Sequence, residues 1–333
     1  MASIFMGEQN NVRRVYSAQV TEALVAEAGL KADKVVTKAD ILSGEYKDTE
    51  YIFSTWGMCR FEKDEIKEYL PSLKAIFYSA GSVQGFAREF LELGIEVHSA
   101  WAANAVPVAE YTVAQIILAN KGFYQSSVLF KKGNAYHKDA HRLFSHFGGN
   151  FNTSVGIIGA GMIGRMVIER LRDYKLDIYV CDPFLSDQKA AEMGAVKCTL
   201  EEMFEKCDVI SNHVANNPQT VGMINAKLFA LMKPYSTFIN TGRGAQVVEP
   251  DMIAFLKERS DVTAVLDVTN PEPPVEKSEM YELDNIVLTP HIAGSSGKEV
   301  VRMAEYMLDE YRLYVKNEPT KYSVSLKMLE TMA

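Results

Sequence analysis

The sequence predicts an α/β protein of two parallel-sheet domains, and three observations carry the prediction. Short β-rich runs alternate with amphipathic stretches over the first hundred residues, and the alternation begins again near residue 155. At that point an apolar run breaks into closely spaced glycines and then continues with helical spacing, as "VGIIGAGMIGRMVIERL". Strands that alternate with helices along one chain fold as parallel sheets with crossover helices.

With 333 residues, 47% hydrophobic and 23% charged, the chain can bury a sizeable core and is long enough for two domains. Thirty-five basic against 43 acidic residues give a net charge of −8 with no cationic run, so neither nucleic acid nor an anionic membrane is an expected partner. Cys59, Cys181, Cys198 and Cys207 form no CxxC pair and are expected to be reduced packing thiols of a cytoplasmic protein. The opening "MASIFMGEQNNVRR" lacks the layout of a secretion signal, and no apolar stretch is expected to reach the ~20 residues of a membrane span.

In chain order, "YIFSTW", "LKAIFYSA" and "IEVHSA" read as strands, with "KDEIKEYL" and "GFAREFLEL" as helices between them. "VPVAEYTVAQIILANK" reads as a long buried helix with Pro107 in its first turn. The polar, Gly-containing stretch 131–150 reads as a surface excursion. After residue 155 the strands are "DIYVCD", "CDVISNHV", "STFINTG", "VTAVLDV" and "NIVLTPH", separated by helical segments such as "KLFALM" and "DMIAFLKE". The last long helix is "KEVVRMAEYMLDEYRLYV", where Val300, Ala304, Met307, Tyr311 and Tyr314 recur on one face.

Gly159, Gly161 and Gly164 fit G-x-G-x-x-G between an apolar strand and a helix. In that context the first glycine permits the tight turn, the second lets backbone approach a pyrophosphate, and the third allows close helix–strand packing. The helix N-terminus adds a positive field for the anion. Asp182 lies 18 residues past Gly164 at the end of the next strand, where a carboxylate accepts hydrogen bonds from ribose hydroxyls and repels a 2′-phosphate. The expected cofactor is therefore NAD (NADH) rather than NADP, the alternative for Asp182 being a strand-end turn before Pro183.

Nicotinamide chemistry on a carbonyl needs a proton donor, a group that holds that donor, and a cation for the substrate's charge. His291, Glu272 and Arg243 offer these near the carboxyl ends of predicted strands, where an open parallel sheet binds its ligands. A carboxylate beside an imidazole favours the protonated ring and keeps a proton available near neutral pH.

At these residues the chain resembles the D-isomer-specific 2-hydroxyacid dehydrogenases. "VGIIGAGMIGR", "LFALMKPYSTFINTGRGAQVVEPDMIAFL", "AVLDVTNPEPP" and "NIVLTPHIAGSS" are similar to that family's blocks in order, and "LKAIFYSAGS" and "NAVPVAEYTVAQIIL" to its N-terminal ones. The resemblance implies two Rossmann-like or flavodoxin-like parallel-sheet domains. The NAD-binding domain, 104–297, is inserted into a discontinuous substrate-binding domain made of 1–103 and 298–333. It also implies that Arg243 holds the carboxylate and carbonyl of a 2-oxo acid, that His291 is the general acid in reduction and base in oxidation, and that Glu272 pairs with it. The cofactor would meet Gly159, Gly161, Met162, Ile163, Gly164, Asp182, His213, Val214, Thr220, Thr241, Gly242, Arg243, Asp267, His291 and Gly294, with Asp267 bonding the carboxamide. The substrate would meet Trp56, backbone amides around Ala80, Gly81 and Ser82, and Arg243 and His291. A homodimer through the cofactor domains, and domain closure over the substrate, are implied as well.

The chain departs from the family at Ser82 and Val83, where Val-Asp is usual, and at "NHVANN", which lacks a proline; the G-x-W common before the fingerprint is missing from 131–150. His137 and His141 at i, i+4 would suggest a metal, but Lys138 stands where zinc proteases need Glu, so none is expected. Two rivals to a 2-oxo acid reductase remain: an NAD(H)-sensing, corepressor-like binding protein of the same fold, and an enzyme for another anion such as phosphite.

Overall fold

The computed structural model describes residues 2–330 except 134 and 136, so the first residue, the last three of the 298–333 segment and two positions of the 131–150 excursion lie outside the described residues. The chain divides into two compact units, Met1–Ala105 with Ser295–Ala333, and Val106–Gly294.

The strands of the first unit are β1 (Ser3–Met6), β2 (Leu30–Val36), β3 (Tyr51–Ser54), β4 (Ala75–Tyr78) and β5 (Glu96–Ser99). A two-residue strand near the C-terminus, Ser323–Val324, pairs antiparallel with β5; all other pairings are parallel, in the order β2-β1-β3-β4-β5. That is the flavodoxin-like order, with its switch point between β1 and β3. Period-two alternation sorts the side chains onto two faces. Ile4, Met6, Ile52 and Ile76 enter one core, and Phe5, Tyr51, Phe53 and Phe77 the other. The second face is covered by the helix Val300–Val315, which buries Val300, Met303, Ala304, Met307 and Tyr311. The Tyr311 ring stands edge-on to Tyr51, Phe53 and Phe77, with centroids 5.4–5.5 Å away.

One residue on this helix breaks the apolar pattern. Glu310 is buried, with His98 Nδ1 3.1 Å from its carboxylate and the backbone N–H groups of Lys321 and Tyr322 donating to it at 2.9 Å. Burial pushes its carboxyl up, but His98 and the two amides outweigh it and hold the group below the ordinary glutamate range.

The second unit has seven parallel strands: β6 (Phe151–Ile158), β7 (Lys175–Cys181), β8 (Val196–Lys197), β9 (Val209–Asn212), β10 (Thr237–Asn240), β11 (Thr263–Leu266) and β12 (Ile286–Leu288). Their order is β8-β7-β6-β9-β10-β11-β12, the doubly wound Rossmann order extended by one strand, with the switch point between β6 and β9. Val155 and Ile157 pack against Val167, Ile168 and Leu171 of the helix Met162–Leu171. Ile158 faces the opposite way, onto Met203 and Phe204.

Two expectations need correction. The long helix starts at Trp101 and runs to Asn120, so Pro107 lies inside it, not in its first turn. Because the extra turn is apolar, the helix reaches 20 residues and by length and composition alone could cross a membrane, contrary to the expectation that no stretch would; half of it is buried within the protein.

Replacing Glu310 with Ala leaves His98 and two amides without their acceptor and should lower the stability of the first unit by about 3 kcal/mol or more, read from the midpoint of chemical denaturation. Because the folded-state carboxyl is held below its unfolded value, its contribution is complete above pH ~4.3 and is lost as pH falls through the folded value. The variant should therefore lose part of the acid-side slope of stability against pH.

Candidate active site

The glycine turn after β6 shows which of its glycines the fold itself requires. Gly159 has φ +91°, a left-handed conformation that L side chains rarely adopt. A Cβ on Gly164 would lie 2.0 Å from Gly159 O, so the helix Met162–Leu171 could not sit on its turn with any other residue there. Gly161 is different. Its φ of −69° is open to every residue, and a Cβ built on it meets nothing within 4 Å. Neither conformation nor packing within the protein explains a glycine at that position, at a helix N-terminus. Close approach by a ligand phosphate does, so the turn fits a dinucleotide. Met162 and Ile163 form the first turn of the helix, Met162 exposed and Ile163 packed on the core.

Asp182 follows β7 directly. One carboxylate oxygen accepts the Ala160 N–H at 2.7 Å and the other the Phe184 N–H at 2.8 Å, so the side chain ties the glycine turn to the end of the neighbouring strand.

The ends of β9 and β10 hold a polar network. Asn212 Nδ2 donates to Asn240 Oδ1 at 3.0 Å and to Gln246 Oε1 at 2.6 Å, and Gln246 Nε2 donates to Val214 O at 2.7 Å. A Cβ on Gly242 would meet Gln246 and Asn212 at 2.7 and 2.9 Å, which excludes other residues from the approach to Arg243. His213 lies 2.9 Å from Ser211 Oγ and 3.2 Å from Thr241 Oγ1, and burial pulls it down to about 3. Thr220 Oγ1 donates to Ala215 O at 2.7 Å and closes the turn after β9. Sequence reasoning missed Asn212, Asn240 and Gln246; the signal was a polar residue ending each of two otherwise apolar strands.

Arg243 is partly buried after β10. Its Nη1 donates to Gly242 O at 2.8 Å, and among the described residues no carboxylate lies within 4.0 Å of its guanidinium. Burial draws it down from its ordinary value, and the negative charge of Glu272 opposes that. Glu272 Oε1 lies 2.6 Å from His291 Nδ1, with both side chains nearly half exposed. The structure thus brings Glu272 and His291 together, and sets Glu272 near enough to Arg243 for its charge to be felt.

The His291 backbone has φ +55°, and Asp267 holds it there from behind. Asp267 is 2% exposed; its carboxylate accepts from Thr289 Oγ1 at 2.6 Å and from the N–H groups of Ile292 and Ala293 at 2.8 and 2.9 Å, while its carbonyl accepts the His291 N–H at 3.1 Å. Tyr111 OH lies 3.0 Å from Thr289 Oγ1 and extends the chain. Gly294 follows this segment and ends the unit.

Trp56, Ala80, Gly81 and Ser82 belong to the first unit. Trp56 is partly buried against both of that unit's cores, and the Arg14 guanidinium lies 5.3 Å over its ring. The Ala80 N–H is taken by Tyr78 O at 2.9 Å, and Ser99 Oγ lies 2.9 and 2.6 Å from the carbonyls of Ala80 and Gly81. The N–H groups of Gly81 and Ser82, in the loop after β4, have no acceptor among the described residues. Near them stands Asn104, which sequence reasoning missed: a Cβ on Gly81 would lie 3.7 Å from its Nδ2, while its Oδ1 accepts the Ser295 N–H at 2.9 Å.

A doubly wound sheet with this fingerprint defines a dinucleotide-binding protein, with an Arg, a Glu and a His on loops at its carboxyl edge. The chain belongs to the D-isomer-specific 2-hydroxyacid dehydrogenase family: residues 113–293 match the model of that family's NAD-binding domain. It is 27% identical over 237 residues to a D-3-phosphoglycerate dehydrogenase of Archaeoglobus fulgidus, covering 71% of this chain and 44% of that protein. To the D-3-phosphoglycerate dehydrogenase of Methanocaldococcus jannaschii it is 31% identical over 277 residues, covering 83% and 51%. The chain therefore spans about half the length of these relatives. Its fold is similar to that of Rhodotorula graminis D-mandelate dehydrogenase, with a TM-score of 0.80 at 19% identity over 97% of each chain. D-2-hydroxyisocaproate dehydrogenase is similar too, at a TM-score of 0.75 and 19% identity over 98% of this chain and 100% of that one.

The glycines separate by experiment. Gly161→Ala should fold with an unchanged melting temperature and bind NADH at least about tenfold more weakly, because only the ligand's approach is lost. Gly164→Ala should lower the melting temperature, since its Cβ has no room. Equal thermal losses in the two variants would contradict this division.

Proposed function

We propose that the protein is an NAD-dependent oxidoreductase that reduces a small 2-oxo acid to the D-2-hydroxy acid and catalyses the reverse reaction. The observation that carries the reading is the 2.6 Å contact of Glu272 with His291 Nδ1 beside a partly buried Arg243 that has no carboxylate partner among the described residues. NAD, when bound, supplies or takes up the hydride. Arg243 takes the substrate carboxylate, whose two oxygens match the planar fork of a guanidinium. His291 Nε2 points away from the Glu272 contact and moves a proton to the substrate oxygen in reduction, or accepts it in oxidation. Glu272 fixes the ring by its other nitrogen. In the first unit, the N–H groups of Gly81 and Ser82, without an acceptor among the described residues, are neutral donors of the kind that fit a carboxylate. Asp182 supports NAD over NADP, because a carboxylate at that strand end repels a 2′-phosphate. We also propose a cytoplasmic homodimer: four cysteines without a CxxC pair favour a reducing compartment, and the resemblance noted from the sequence favours a dimer.

Steady-state oxidation of NADH against a panel of 2-oxo acids tests the proposal. Turnover of at least one acid is expected, and NADH binding without turnover of any would return the protein to the class of cofactor-sensing binding proteins. In the active enzyme, His291→Gln should lower kcat by about a thousandfold or more while leaving NADH affinity within twofold. Arg243→Ala should act mainly through the oxo acid, raising its KM by about a hundredfold for the loss of a bidentate partner.

A further inference from the structure

Glu272 stands on a stretch without regular secondary structure, residues 267–278, and is itself half exposed. Something other than its own surroundings must aim its carboxylate at His291, and two contacts from the stretch after β10 do so. A Cβ on Gly244 would lie 2.0 Å from Thr269 C and 2.2 Å from Thr269 O, so the Thr269 backbone rests directly on the residue after Arg243. Five positions on, Glu249 opens the helix Glu249–Glu258, and its Oε1 accepts the Asn270 N–H. That amide is the only hydrogen-bond partner of the Glu249 side chain among the described residues, although the side chain is half-buried. Burial pushes the Glu249 carboxyl up, and the Asn270 N–H partly offsets that. A half-buried carboxylate spent on a single loop amide is costly unless that amide must be held.

We infer that Glu249 is a positioning residue of the catalytic machinery, clamping the Asn270 N–H so that Glu272, two residues further on, stays in register with His291 Nδ1. With Gly244 it grips the Glu272 segment from the same seven-residue stretch that begins at Arg243. The placement of the cation and the placement of the acid–base pair are thereby one structural event. This inference rests on the proposed roles of His291 and Glu272.

The test uses the full chain and three readouts. In Glu249→Ala, kcat for a 2-oxo acid should fall about tenfold to a hundredfold, as is usual when a supporting partner of a reactive group is removed. NADH affinity and the KM of the oxo acid should stay within about twofold. Glu249→Gln keeps an acceptor oxygen and should restore most of kcat. Independently of turnover, hydrogen exchange of the Thr269, Asn270 and Glu272 amides should quicken in Glu249→Ala and not in Glu249→Gln. A Glu249→Ala enzyme with wild-type kcat, a Gln variant no better than Ala, or unchanged exchange at Thr269, Asn270 and Glu272 would each overturn the clamp. Absence of turnover in the wild type would instead overturn the proposed function, and the exchange measurement would still decide whether the clamp exists.

Discussion

The placement of His291 in the second unit depends on one buried carboxylate. Asp267 ends the strand β11 region at 2% exposure and would be a heavy liability as an unpaired charge. It is satisfied by Thr289 Oγ1 and the N–H groups of Ile292 and Ala293, all from the segment that follows β12. Those bonds force the chain to turn back over the carboxylate, and the residue at the turn is His291, held at φ +55°. A non-glycine residue stays in that region only when its surroundings over-determine it. The exposed imidazole therefore owes its direction to a group that never reaches solvent.

The same division recurs throughout the unit. Groups at the surface of the site rest on groups beneath it: the His291 segment on Asp267, the Glu272 segment on Gly244, and the Arg243 backbone on Asn240 and Gln246 of the polar network. Rigid placement of this kind lets loops carry function without losing precision, since each loop is anchored at the end of a strand. It also explains why three glycines crowd so close to Arg243 and the fingerprint. At Gly164, Gly242 and Gly244 the missing Cβ is replaced by another part of the protein at under 3 Å, whereas at Gly161 it is replaced by nothing.

Much of this was legible in the sequence, and the exceptions have physical causes. Strands β3 to β7 and β9 to β12 announce themselves as apolar runs bounded by Gly, Pro or charge. Strand β1 does not: "SIFM" is four residues long, buried on both faces, and offers no alternation to read. Strand β2 lies at the sheet edge, so "LKADKVV" carries three charges and is exposed over its middle, from Lys31 to Lys34. The fingerprint and the Arg, Glu and His stood out because their motifs are local. Glu249 and Asn104 could not, because their meaning lies in a contact with a loop amide or a glycine far along the chain. Asp182 was legible as an acid at a strand end, but its bonds to the Ala160 and Phe184 amides show that ordering the turn is part of its work.

Burial also decides which histidine at the carboxyl edge of this sheet can handle a proton. His213 follows β9 and lies beside the Thr241 hydroxyl, so by position alone it is a rival to His291. It is 8% exposed, however, and among the described residues its ring has hydroxyl partners alone, Ser211 on one nitrogen and Thr241 on the other. Desolvation then penalises the charged ring without compensation and pulls it down to about 3, so at neutral pH it is a neutral hydrogen-bonding post. His291 differs in both respects that matter, standing half in solvent with a carboxylate on Nδ1. That combination of exposure and a carboxylate partner is what the proton transfer proposed for His291 calls for, and among the described residues His213 lacks it.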